Sequence, residues 1–117
     1  MPSIDEHYAK YLHNKKLLGL DDFRDVFADW FITVLFYGAL HLVEHELAKH
    51  GLHSEHHTDR RKKVYNEPSL KKVHTEYKSL YDMSLDTRYD CINLTVQDIE
   101  EAEKWFDKIE AHLSTNA

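Results

Sequence analysis

Hydrophobic residues recur at intervals of three and four along most of this chain of 117 residues, a spacing that predicts helices. The most apolar segment is Trp30–Val43, which is interrupted only by Thr33, Gly38 and His41. A helix that is apolar on nearly every side must be buried on most of them. We therefore expect a long central helix over 29–50, ended by Gly51, with Gly38 placed where a neighbouring backbone approaches closely.

Shorter amphipathic segments on either side predict further helices. Ser3 and Glu6 fit a capping box at the start of the first helix, and Gly19 ends it. Residues 20–28 are either a connecting turn or an early start of the central helix, and the sequence leaves both open. The remaining pattern predicts a basic helix over 59–66, a helix that Pro68 begins, a connection over 90–94 and a last helix that Thr95 caps with Asp98.

Each flanking helix has apolar positions that are expected to face the core. In chain order these sets are Ile4, Tyr8, Leu12 and Leu18; then Leu70, Val73, Tyr77, Leu80, Tyr81 and Ser84; then Val96, Ile99, Phe106, Ile109 and Leu113. Gly and Pro, which interrupt helices, are scarce. The fold class that follows is all-α: an up-and-down bundle of four to five helices around a long buried central helix.

The whole chain is expected to form one domain, because no linker, repeat or low-complexity tract divides residues 1–117. The apolar run is shorter than the ~20 residues that a membrane span needs, so no membrane association is expected. The first residues lack the basic and apolar regions of a secretory signal, and Cys91 is the single cysteine, so a disulfide scaffold is excluded. These features predict a cytoplasmic protein.

Charge is distributed unevenly along the chain. The net charge is -6 with His neutral, which argues against a nucleic-acid-binding surface over the whole protein. Residues 49–78, however, hold eight Lys or Arg against four Asp or Glu, a local balance of +4. Such a segment suits a phosphate group or an acidic partner, although a solvated basic surface has the same composition. The candidate phosphate or nucleotide ligands are His57, Arg60, Arg61, Lys62 and Lys63, with Arg88 as a further candidate.

Arg88 lies where the helix begun by Pro68 is expected to end. A cation there complements the helix dipole, so a structural role is open to Arg88, as a carbonyl cap or in an ion pair with Glu44 or Asp86. The functional role is an anion contact. Nucleophilic catalysis has little support, because Asp90 beside Cys91 disfavours a thiolate and the sequence has no G-x-S-x-G, C-x-x-C or Gly-rich phosphate loop.

The segment His41-Leu42-Val43-Glu44-His45 fits the inverted zinc-peptidase motif H-x-x-E-H. Two His four residues apart share a helix face and can hold Zn²⁺, with the Glu as the base for a bound water. No third ligand is marked in the sequence, so we expect His41 to be a packed imidazole and Glu44 a buried acid, with no metal and no other cofactor. The alternative is a metal-dependent hydrolase that uses His41, Glu44 and His45, with His74 as a ligand from another helix.

Several motifs occur together from about residue 28 to the end of the chain. They are Tyr37-x-x-x-His41-x-x-Glu44-x-x-Leu47, Gly51-Leu52-His53, His57-x-x-Arg60, Leu80-Tyr81-Asp82-Met83-Ser84 and Thr87-Arg88-Tyr89. This combination resembles the HEPN superfamily, helical domains named for nucleotide-binding proteins of higher eukaryotes and prokaryotes. The resemblance implies an up-and-down bundle that forms a homodimer through its central helices. It also implies a minimal nucleotidyltransferase or another toxin–antitoxin partner, or a role in RNA processing and defence.

Many HEPN members are metal-independent ribonucleases whose motif is an Arg followed by a His four to six residues later. No Arg of this chain has such a His. We therefore expect a non-catalytic or degenerate HEPN-type domain that binds nucleotide or RNA phosphate, or a nucleotidyltransferase-type partner. The alternative is a small enzyme, either a non-standard ribonuclease with His53 or His57 as acid–base and Arg60 or Arg88 on phosphate, or the metal hydrolase; a pure assembly partner is a third possibility.

Overall fold

Every regular element of the computed structural model, which describes residues 2–90 and 92–114, is a helix. In chain order the helices are α1 (Ile4–Leu18), α2 (Phe23–Val26), α3 (Ala28–Lys49), α4 (His57–Asn66), α5 (Pro68–Lys71), α6 (His74–Tyr89) and α7 (Val96–Ser114). Within these residues five helices have ten residues or more, and α2 and α5 are single turns. The all-α prediction of four to five main helices is confirmed; the prediction for Cys91 lies outside the described residues.

The four longest helices, α1, α3, α6 and α7, form an up-and-down bundle with α3 packed against the other three. The start of α1 lies against the end of α3, where the Ile4 carbonyl is 3.0 Å from His45 Nδ1. The end of α6 lies against the first half of α3, where Arg88 bonds to Tyr37. α4 and α5 connect α3 to α6. The central position predicted for α3 is confirmed.

Local sequence signals set several helix ends where they were expected. Ser3 and Glu6 form the capping box of α1, with bonds of 2.9 and 3.1 Å. Thr95 and Asp98 form the same pair of bonds before α7, also at 2.9 and 3.1 Å. Gly51 follows α3 with a φ of 71°, a left-handed conformation that glycine adopts without steric cost.

The predicted buried stripe of α1 is partly wrong. His7 and Tyr11 are its buried residues, whereas Ile4 is 38% and Leu12 44% exposed. Positions four residues apart advance 40° around a helix of 3.6 residues per turn, so a row of such positions leaves the packed face after two steps. The packed face instead holds rings with polar tips: the Tyr11 hydroxyl donates to Glu110 Oε2 at 2.6 Å.

Two other predictions fail near helix ends. Trp30 in the first turn of α3 is 57% exposed, and Val96 in the first turn of α7 is 66% exposed. The single helix expected to begin at Pro68 is instead divided into α5 and α6. The core residues predicted for it are buried, except Tyr81. Residues 20–28 hold the single turn α2, preceded by Asp22 at a φ of 65°.

Among the described residues, no helix has both the length and the apolar character that a bilayer span requires.

Gly38 lies where the ring of Phe106 of α7 presses on α3, so the close neighbour is a side chain rather than the backbone that was expected. A Cβ at this position would be 3.1 Å from Phe106 Cε1, and the Phe106 ring is itself buried in the core. We expect Gly38→Ala to lower the free energy of unfolding by about 1 kcal/mol in urea denaturation. Overpacking costs about 1–3 kcal/mol and exceeds the ~1 kcal/mol gain in helix propensity.

The matched control places Gly38→Ala in a Phe106→Leu background, which removes the ring atoms nearest to the added methyl group. There the same substitution should raise the free energy of unfolding. An equal loss in both backgrounds would contradict the packing explanation.

The His7 and His41 imidazoles should make the stability of the fold sensitive to acid. Burial lowers the pKa of His41 to about 4, with His7 and Lys10 adding to the effect, and burial also lowers the pKa of His7. Because the unfolded chain protonates these groups near pH 6.5, the stability they contribute is complete above that pH. We expect the free energy of unfolding to fall by roughly 2 kcal/mol through His41 as the pH drops from 6.5 to 4.

The measurement is urea denaturation across this pH range. His41→Gln should flatten the pH dependence, whereas His13→Gln, at an exposed position of α1, should leave it unchanged. A pH profile that is the same in all three proteins would refute the assignment.

Candidate anion-binding site

α4 is held against the central helix by a buried ion pair. Arg60 Nε of α4 donates to Glu44 Oε1 of α3, and the Ser54 hydroxyl donates to the same oxygen. The Arg60 side chain is 11% and the Glu44 side chain 7% exposed. Arg60, predicted as a phosphate ligand, is thus already neutralised by a carboxylate inside the protein.

The loop before α4 sets where that helix begins. The His56 side chain accepts the Asp59 backbone N–H at 3.1 Å, so α4 starts at His57, two residues before the predicted position. Lys63 bonds to Asp59 Oδ2 at 2.9 Å and to the His53 carbonyl. Lys63 therefore faces the loop and its charge is paired, which separates it from the other predicted ligands.

Three predicted ligands lie at two tyrosine rings: His57 and Arg61 at Tyr81, and Arg88 at Tyr37. Arg88 is near enough to His57 to lower its pKa, and we call these five residues the arginine face. The His57 ring lies 5.0 Å from the Tyr81 ring, centroid to centroid, and Arg61 Cζ lies 5.1 Å from the same ring. Arg88 Cζ lies 5.6 Å from the Tyr37 ring. All five residues are half-buried. α3, α4 and α6 each contribute to this surface.

Arg88 is fixed by its own helix and by α3. Its Nε donates to the Ser84 carbonyl at 3.1 Å, and Nη1 donates to the Tyr37 hydroxyl at 3.0 Å. The carbonyl cap predicted for Arg88 is present, whereas the ion pairs suggested with Glu44 and Asp86 do not form. The guanidinium is oriented without being neutralised.

Two positive charges of the arginine face lack a paired carboxylate in the part of the chain that the structure describes. Among the described residues, no carboxylate forms an ion pair with Arg61 or Arg88, in contrast with Arg60. Arg61 Nε is also buried without a hydrogen-bond partner. A buried donor that is left unpaired costs about 1–3 kcal/mol.

His57 is neutral at this site. Burial lowers the pKa of His57, and the guanidinium groups of Arg60, Arg88 and Arg61 lower it further. Its Nδ1 is 2.9 Å from Arg60 Nη1, which can only donate, so Nδ1 accepts and the proton lies on Nε2. His57 can therefore donate one hydrogen bond to an anion, and a bound anion would favour its protonation.

Lys62 lies beside the arginine face in a shallow groove of about 410 Å³ between α4 and α6. Arg61 lines the same groove, whose other residues are Thr58, Tyr65, Asn66, His74 and Lys78. The exposed Lys62 extends the positive surface away from Arg88.

The residues of the H-x-x-E-H motif point to different neighbours. His41 Nδ1 is 3.2 Å from His7 Nδ1 and His45 Nδ1 is 3.0 Å from the Ile4 carbonyl, both on α1, while Glu44 pairs with Arg60 of α4. Within the part of the chain that the structure describes, no group of three or more His, Cys, Asp or Glu could hold a metal ion. His74, the suggested fourth ligand, instead lies edge-on to Tyr65 at 5.1 Å.

Sequence reasoning missed the role of the two tyrosines. The sequence pattern predicts a core position for Tyr81 and includes Tyr37 in the HEPN-like motif. In the structure an arginine guanidinium group lies over each of these two rings. Tyr37 and Arg88 are 51 residues apart, so no local spacing links them. Aligning α3 and α6 as antiparallel neighbours places aromatic and Arg positions opposite each other. That alignment is the signal that could have predicted these contacts.

Comparison with protein-family models, with curated proteins and with solved structures gives no match.

The Glu44–Arg60 pair predicts a large and unequal response to mutation. Arg60→Met leaves the Glu44 carboxylate buried without its cation, and we expect a loss of about 3–5 kcal/mol in the free energy of unfolding. The double variant Glu44→Leu, Arg60→Met should lose less than Arg60→Met alone, since it removes both charges. Urea denaturation measures both changes.

The matched control is the exposed pair of Lys78 and Asp82, whose side chains are 51% and 49% exposed. Lys78→Met should cost less than about 1 kcal/mol, because exposed ion pairs contribute little. Similar losses for Arg60→Met and Lys78→Met would show that the Glu44–Arg60 pair does not anchor α4.

Proposed function

We propose that this chain is a phosphate-binding module that takes a nucleotide or RNA phosphate at the arginine face. The observation that carries the proposal is that the guanidinium groups of Arg61 and Arg88 lie beside His57, and neither is paired with a carboxylate among the described residues. A phosphate offers several acceptor oxygens and negative charge, so it matches three donors and two positive charges in one place.

The surroundings increase the strength of that interaction. The donors are half-buried against Tyr37 and Tyr81, where electrostatic attraction is screened less than on an open surface. Arg88 is already oriented by hydrogen bonds to Ser84 and Tyr37, so little side-chain entropy is lost on binding. Lys62 in the adjoining groove gives the backbone of a longer RNA a further contact.

The arrangement favours binding over RNA cleavage. Metal-independent cleavage needs a general base and a general acid, and His57 is the one imidazole at the arginine face among the described residues. Its Nδ1 is occupied by Arg60, which leaves a single position for proton transfer. The RNA-binding experiment also tests the ribonuclease alternative, because cleavage would produce shortened RNA.

The resemblance to HEPN domains remains a prediction and extends this proposal. It implies a homodimer with a minimal nucleotidyltransferase as partner in a toxin–antitoxin or defence system, and the lack of a secretory signal predicts the cytoplasm. An acidic partner surface would use the same unpaired charges as a phosphate. Light scattering of the purified protein, alone and with RNA, measures the assembly state.

Binding is tested with a fluorescent single-stranded RNA of ten nucleotides by anisotropy at 50 and 200 mM salt. Replacing Arg61 and Arg88 together by Gln should weaken binding at least tenfold and lower the salt dependence, because two phosphate contacts are lost. NMR titration of the wild-type protein should show the pKa of His57 rising when RNA is bound.

The control variant replaces Lys16 and Lys104, exposed lysines of α1 and α7, by Gln and removes the same amount of charge. It should bind RNA almost as well as the wild type. No binding by the wild type at 50 mM salt, or equal weakening in both variants, would overturn the proposal.

A further inference from the structure

A second concave site adjoins the arginine face at one end of the bundle. It is a pocket of about 270 Å³ between the first turn of α3 and the last turn of α6, lined by Asp29, Trp30, Thr33, Thr87, Arg88 and Tyr89. Arg88 belongs to both sites, since its guanidinium bonds to Tyr37 and lies 5.4 Å from the Tyr89 ring. A phosphate that contacts Arg88 therefore lies at the edge of this pocket.

The pocket has two large aromatic side chains that the fold does not use. Trp30 is 57% and Tyr89 71% exposed, whereas the other large apolar residues of their helices are buried or half-buried. Exposed Trp and Tyr rings beside an Arg are the side chains on which nucleic-acid bases stack. The pocket walls thus suit a flat heteroaromatic ring.

The polar groups of the pocket indicate which heteroaromatic ring it can bind. Both threonine hydroxyls donate to backbone carbonyls, that of Thr33 to Asp29 and that of Thr87 to Ser84, each at 3.0 Å. The exposed Asp29 carboxylate forms no ion pair among the described residues, and it can accept two hydrogen bonds. Guanine presents two adjacent N–H donors on one edge, from N1 and from the exocyclic amine, whereas adenine presents an acceptor at N1.

We propose that this pocket binds the guanine base of the nucleotide whose phosphate lies on the arginine face. Asp29 accepts the two N–H groups of guanine, Trp30 and Tyr89 stack on its ring, and Arg88 lies between base and phosphate. This inference rests on the proposed phosphate binding and adds the base that is selected. The guanine comes from a free mononucleotide or from an unpaired position in RNA.

Calorimetric titration of the full chain with ribose 5-phosphate, AMP and GMP separates the phosphate and base contributions. We expect GMP to bind at least tenfold more tightly than AMP or ribose 5-phosphate. Asp29→Asn should remove the preference for GMP over AMP and leave ribose 5-phosphate affinity unchanged. Trp30→Ala should bring the affinity for GMP down to that for ribose 5-phosphate.

Asp5→Asn is the matched control for Asp29→Asn, because Asp5 is also an exposed carboxylate in the first turn of a helix. It should keep the full preference for GMP. Two RNA pentamers, UUGUU and UUAUU, identify the source of the base: a preference for guanine in the pentamers alone indicates RNA, and one that already holds for mononucleotides indicates a free nucleotide.

The two proposals fail in different ways. If ribose 5-phosphate binds and neither GMP nor UUGUU is preferred over its adenine counterpart, the guanine pocket is refuted and the phosphate site stands. If Asp29→Asn keeps the GMP preference, the assignment of Asp29 is wrong. If none of the phosphate-containing ligands binds, phosphate binding itself is refuted.

Discussion

The ion pair between Glu44 and Arg60 is the constraint on which the arrangement of the candidate site depends. The Glu44 carboxylate is buried on α3 and must be neutralised there, and the basic helix α4 supplies the cation through Arg60. The pairing of Arg60 with Glu44 fixes where α4 lies along α3 and how α4 is rotated about its own axis. The positions of His57 and Arg61 follow from that rotation, because successive residues of a helix are turned by 100°.

The same pair explains why adjacent arginines have different roles. Arg60 points inward, and Glu44 neutralises its charge. Arg61 packs over the Tyr81 ring and has no acidic partner among the described residues. Arg60 also bonds to His57, so the interaction that holds the fold fixes the tautomer of the imidazole on the surface. Stability and the proposed binding therefore depend on one guanidinium, which makes the Arg60 position a poor place to test binding alone.

Much of the fold could be predicted because its signals are local. Both capping boxes and the position of Gly51 involve residues within a few positions of one another, and they occur as expected. The site was predicted in part: of the basic candidates, Arg61 and Arg88 face a common surface, whereas Arg60 and Lys63 are paired inside the protein. Which member of a basic run is buried depends on a carboxylate sixteen residues away, which composition does not reveal.

By itself the sequence determined that the chain is helical, where most helices begin and end, and that α3 is the helix the others surround. Those properties follow from hydrophobic periodicity and from hydrogen bonds within one or two turns. The tertiary structure decided which face of α1 is buried, which arginines keep their charge available, and that Tyr37 meets Arg88. These outcomes arise from contacts between helices far apart in the chain, where burying apolar area and pairing buried charge have to be satisfied at once.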